Sequence, residues 1–117
     1  PQLQSQLKAW LETVESDKRL LWILDKAHPH AYAEWPLTQR IRGQMKQVRL
    51  DRTFQDETGV QWVVDYKTSV FEEDIASGHR AQYESQLHHY QRLLAEMGFS
   101  SLKSALYYPF ERQWVPL

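Results

Sequence analysis

Apolar residues recur at helical spacing near both ends of this chain and alternate with polar ones through its middle. Leu3, Leu7, Trp10, Leu11 and Val14 fall three and four apart, which predicts a helix over residues 2–15 with one apolar face. Ser16 and Asp17 are capping residues for a second helix. Its Leu20, Leu21, Ile23 and Leu24 are expected to pack inward, and it ends near Ala27, ahead of His28-Pro29. Residues 32–40 then read as a strand, placed at a sheet edge by Pro36. Arg42-Gly43 turns the chain. Residues 44–54 alternate, with Met45, Gln47, Arg49 and Asp51 facing one way and Lys46, Val48, Leu50 and Arg52 the other. Turn formers fill 55–59, and 60–67 form a second strand of β-branched and aromatic residues, so the two pair as a hairpin. A polar loop is expected over 69–79. Residues 81–97 give the clearest helix, with Tyr83, Leu87, Tyr90, Leu94 and Met97 in one stripe and Gly98 as its stop. A last strand over 104–108 precedes Pro109 and an aromatic tail with Trp114. The pattern is that of one mixed α/β domain, with no linker, repeat or low-complexity stretch dividing it.

Composition narrows the class. With 117 residues, 42% hydrophobic and 25% charged, the chain is long enough for one core and has the profile of a globular protein. No apolar run reaches the roughly 20 residues that span a bilayer, and no signal-peptide pattern opens the chain. The absence of cysteine excludes disulfides, iron–sulfur clusters and thiolate zinc sites. These features fit an intracellular, cytoplasmic setting. The net charge of −1 runs against a self-sufficient nucleic-acid binder, because phosphate contacts normally require a basic surplus. If the substrate is DNA, another part of the protein is expected to hold it. The start at Pro1, without Met and directly in a helical pattern, reads as a piece of a longer polypeptide.

The chemistry lies in the hairpin. A turn centred on Thr58 sets Asp51 opposite Asp65, and opposed residues of an antiparallel pair share a face, with Cβ atoms roughly 4.5–5.5 Å apart. Lys67, two residues beyond Asp65, points the same way. Like charges across strands are destabilising, but a divalent cation reverses that sign. Magnesium takes hard oxygen ligands, commonly one or two carboxylates with waters and a substrate phosphate. Such an ion polarises a scissile phosphate and activates water near neutral pH, and Lys67 would offset charge developing on phosphorus. An ordinary surface hairpin with a Lys67–Asp65 ion pair uses the same residues, and the two readings stand side by side here.

Three segments resemble a known family. Val64-Asp65-Tyr66-Lys67-Thr68-Ser69 is similar to the "DYKT" signature of the RecB-like nucleases, in the PD-(D/E)XK superfamily. Leu50-Asp51-Arg52 resembles the "(I/L)DR" one hairpin strand earlier, and Gln86-Leu87-His88-His89-Tyr90 the Q-x-x-x-Y motif on the following helix. The order of the three is more specific than D…DxK alone, and the resemblance spans about residues 34–108. It implies a restriction-endonuclease-like α/β sheet with flanking helices. It further implies Mg²⁺ (or Mn²⁺) held by Asp51, Asp65 and the Tyr66 carbonyl, with Asp51, Asp65 and Lys67 catalytic. Gln86 and Tyr90 would position DNA, and Glu34 would support the site. Tyr90 also suits the apolar stripe, and Glu34 equally ends a strand. The implied activity is hydrolysis of DNA phosphodiester bonds during end processing or recombinational repair, in a domain attached to a helicase at the C-terminal end of a larger protein. The family's upstream metal-binding His has no counterpart here: His28 and His30 stand too close to Glu34, beside Pro29, and read with His88 and His89 as surface residues. Two rivals remain: an inactive nuclease-like DNA-binding or scaffold module, and a stand-alone endonuclease of the same superfamily.

Overall fold

A computed structural model of the chain describes residues 4–6, 8 and 17–117. The apolar positions of the predicted first helix lie outside the described residues. The described elements run α1 (Lys18–Ile23), β1 (Tyr32–Ile41), β2 (Gln44–Gln55), β3 (Gln61–Tyr66), α2 (Phe71–Ala76), α3 (His79–Glu96), β4 (Leu102–Tyr108) and β5 (Gln113–Pro116). They form one mixed five-stranded sheet in the order β1-β2-β3-β4-β5, flanked by helices. The architecture is α/β, as the pattern predicted.

The β2–β3 hairpin has the predicted register, with Arg52 opposite Val64, Thr53 opposite Val63 and Phe54 opposite Trp62. Its loop is organised by one carboxylate. Asp56 Oδ1 accepts from the N–H of Thr58 at 2.9 Å, from its hydroxyl at 2.7 Å and from the N–H of Val60 at 3.0 Å. Asp56 Oδ2 accepts from Trp62 Nε1 at 2.8 Å. Burial works against the charged form, but these hydrogen bonds outweigh it and hold Asp56 at about 2. The loop geometry thus fixes which residues meet across the strands.

Strands β3 and β4 pair in parallel, with Asp65 opposite Leu106. Parallel neighbours need a long crossover, which α2 and α3 provide. Leu87, Tyr90, Leu93 and Leu94 of α3 pack in a cluster with Val63, Leu106, Tyr108, Val115 and Leu50. The opposite face carries Phe54, Val64 and Tyr107 under Leu20 and Ile23 of α1. That short helix is held at both ends. Asp17 Oδ1 caps Leu20 N–H at 3.0 Å while its Oδ2 accepts from the Tyr107 hydroxyl. At the other end Arg52 Nε donates to the Ile23 carbonyl at 2.9 Å, satisfying an orphan acceptor of the last turn.

Several expectations are corrected. Helix α1 stops at Ile23 rather than Ala27, and Leu21 and Leu24 are exposed at 48% and 46% instead of packed. One turn buries only every third or fourth side chain, here Leu20 and Ile23. The expected loop over 69–79 contains α2. Its buried residue is Asp74, which accepts from the Ser69 and Tyr108 hydroxyls at 2.6 and 2.7 Å, so no apolar stripe marks it. The aromatic tail holds β5, which closes the sheet against β4 through Trp114 opposite Tyr107 and Val115 opposite Leu106.

Candidate functional site

The ladder between β2 and β3 reaches Arg52 and Val64. One residue further, Asp51 does not continue it with its backbone: its carboxylate Oδ2 accepts the Tyr66 N–H at 3.0 Å. Leu50 has the strand parity of Arg52 and Phe54 yet packs in the α3 cluster, whereas Phe54 packs under α1. Strand β2 therefore turns over at Asp51, and the carboxylate sits where the two strands part. Asp65 stands next to it in register, on the face shared by Val63 and Leu106.

Lys67 follows at the end of β3. Its N–H donates to the Tyr107 carbonyl at 2.9 Å, extending the parallel ladder by one bond and fixing the residue's backbone. Its ammonium lies 2.8 Å from Asp65 Oδ2 and 3.8 Å from the centroid of the Tyr83 ring on α3. A carboxylate on one side and an aromatic face on the other restrict the ammonium far more than a surface ion pair would. The side chains of Lys67 and Asp65 are only 18% and 14% exposed.

The electrostatics are unfavourable without a further cation. Burial first, and then the neighbouring Asp51 carboxylate, push Asp65 up to about 6, against the pull of Lys67. Tyr90 is also raised, by burial and then by the charge of Asp65. It is buried in the α3 cluster, and its hydroxyl oxygen accepts from Gln86 Nε2 at 2.8 Å. Gln86 in turn lines an open groove of about 390 Å³ with His79, Gln82 and Tyr83. Tyr83 is thus shared between the groove and Lys67.

Asp51, Asp65, Lys67, Gln86 and Tyr90 therefore belong to one neighbourhood. Glu34 does not join them. The β1–β2 pairs on either side of it, Ala33 with Arg52 and Trp35 with Leu50, put it across from Asp51. However, its φ of +48° breaks the alternation and its side chain is exposed. His28 is not a free surface residue: its ring stacks on Phe54 at 4.4 Å and its Nε2 lies 2.6 Å from the Trp22 carbonyl. His30 and His88 are exposed.

Sequence reasoning missed two contributors at the site. Tyr83 reads as one more member of the α3 stripe, and only its spacing from Lys67 in space shows the contact. His79 stands beyond the predicted helix start, yet it lines the groove and lies 3.8 Å from the buried Asp74.

Two carboxylates make a donor set that fits a hard, oxygen-seeking cation such as Mg²⁺, which ordinarily draws its other ligands from water and substrate. Among the described residues no cluster of three or more His, Asp or Glu side chains is poised for a metal, so the pair stands without a third protein side-chain ligand. No protein-family model matches the chain, and no curated protein matches it. No helix among the described residues is long and apolar enough to cross a membrane.

Proposed function

We propose that this chain is a metal-dependent deoxyribonuclease domain of the RecB-like, PD-(D/E)XK kind, with a restriction-endonuclease-like fold. The observation that carries the proposal is the costly Asp51–Asp65 pair beside Lys67. Two carboxylates so close that one raises the proton affinity of Asp65 stabilise nothing by themselves, and a partly buried ammonium that fails to hold Asp65 in its usual range is not an ordinary salt bridge. A divalent cation makes the arrangement favourable, and when bound it would polarise a scissile phosphate and favour attack by water near neutral pH.

The protein's own groups then have separable tasks. Asp51, anchored by the Tyr66 N–H, and Asp65, on the adjoining strand, present the oxygen ligands. Lys67, held by Tyr83 and Asp65, places fixed positive charge where negative charge builds up on the phosphoryl oxygens. Gln86, hydrogen-bonded to the buried Tyr90 on the same face of α3, borders the groove along which a strand would lie. Attachment to a helicase, in a cytoplasmic pathway of DNA end repair, is the setting that the motif resemblance supports.

The test is a single-turnover cleavage assay on end-labelled linear duplex DNA. Cleavage is expected with Mg²⁺ or Mn²⁺ and is expected to stop on addition of EDTA. Cleavage that persists in EDTA contradicts a metal-dependent mechanism, and no cleavage with either metal contradicts the proposal and favours the inactive module.

A further inference from the structure

The net charge of −1 conceals a segregated distribution. Between Trp35 and Leu50 there are four cations, Arg40, Arg42, Lys46 and Arg49, and no carboxylate. That leaves ten cations against fifteen carboxylates on the rest of the chain. All four basic side chains are exposed, and none forms an ion pair with a described residue.

The stretch is also a distinct structural object. Residues 44–50 of β2 pair only with β1, beyond the last β2–β3 pair at Arg52, so the two strands form a ribbon projecting from the sheet. Seven residues at about 3.3 Å each give it a reach of roughly 23 Å. The ribbon is rooted at Asp51. Its tip is a two-residue turn closed by the Ile41–Gln44 pair, with φ of +51° at Arg42 and +80° at Gly43. This is the geometry of a type I′ hairpin, whose first central position favours Asn, Asp or Gly because φ is positive. Arginine there is strained. A charged side chain kept where the backbone disfavours it points to a use for the charge.

We propose that the β1–β2 ribbon is a DNA-holding arm that grips the phosphate backbone of a duplex and leads it to the carboxylate site at its base. The inference extends the nuclease reading by saying how the substrate is held. Duplex is favoured over single strand because no aromatic residue lies between Pro36 and Arg49 to stack on bases, as single-strand binders require. Phosphate contacts by Lys and Arg need no such platform, and a two-stranded ribbon is narrow enough to enter a major groove.

Binding of a labelled 20-base-pair duplex in EDTA, followed by fluorescence anisotropy across a salt series, tests the arm apart from any cleavage. Replacing Arg40, Arg42, Lys46 and Arg49 together by Gln is expected to reduce the slope of log K against log salt by about 3–4, near 0.9 per contact. Arg42→Asn is the decisive single variant: it suits the turn, so it should raise Tm while lowering the slope by about 1. Equal slopes for wild type and the fourfold variant, or no measurable duplex binding by the wild type at 50 mM salt, overturn the arm. Tighter binding of single-stranded DNA, or binding to phosphatidylserine vesicles in preference to duplex, overturns the choice of partner. Loss of duplex binding in the fourfold variant with metal-independent cleavage would uphold the arm and sink the metal-centre reading instead.

Discussion

Lys67→Ala is expected to slow single-turnover cleavage of duplex DNA by about 10²–10³, the typical cost of removing one group that stabilises transition-state charge. Affinity for the same duplex in EDTA should change little. Lys67 is mostly buried between Asp65 and Tyr83, so ground-state contact with the DNA backbone falls to more exposed cations. A lower rate at unchanged affinity identifies an interaction made in the transition state alone. The substitution also removes the partner of Asp65, and Asp65 answers by holding its proton more firmly, not by unfolding the hairpin. The ladder through Arg52–Val64 and the Asp56-centred loop do not depend on Lys67, so circular dichroism should be unchanged. A folded Lys67→Ala protein that cuts at the wild-type rate would remove the lysine from the chemistry.

Asp65→Asn is expected to abolish cleavage and, in EDTA, to make the protein more stable. Burial and Asp51 lift the Asp65 carboxyl from the unfolded value near 3.9 to about 6. The native state thus holds a proton that the unfolded chain has lost over that interval. The favourable contribution of the protonated form is complete below about pH 4 and is lost as the pH rises through about 6. At pH 8 the wild type carries the full penalty of an ionised, half-buried Asp65. The asparagine variant escapes it, and since the raised value already includes the pull of Lys67, the net gain after discounting for solvent screening is about 1 kcal/mol. For a domain of this size that is roughly 5 °C in Tm. Melting curves of the two proteins in EDTA should separate at pH 8 and converge near pH 4. A lower Tm for Asp65→Asn at pH 8 would show that the pair is a stabilising structural feature and remove the main support for a cation site.

Much of this was legible in the chain. The turn centred on Thr58 gave the register of the hairpin, because Asp56 is both a turn former and the acceptor that locks the loop. Pro36 indicated the edge strand, and Gly98 follows the C-terminus of α3. The missed elements have one origin. Hydrophobic periodicity finds elements that bury apolar stripes, and α2 buries Asp74, while β5 is four residues of mixed polarity ending in Pro116. At the site, strand parity put Asp51 and Asp65 together but gave no sign that β2 turns over at Asp51, since that depends on a side chain taking the Tyr66 N–H. Glu34 shows the reverse. The family resemblance placed it as a support of the site, and a left-handed backbone, which its side chain does not favour, leaves that side chain exposed. Arg52 belongs to the same motif as Asp51, and its role lies in the fold, where it holds the last turn of α1.

The central claim is that Asp51 and Asp65 form a cation site, and titration calorimetry tests it without any substrate. Mg²⁺ and, separately, Mn²⁺ are titrated into the wild type and into Asp65→Asn at pH 7.5. Saturable heat is expected for the wild type with each ion, and none for the variant. Equal binding by both proteins, or no binding by the wild type, would contradict the claim.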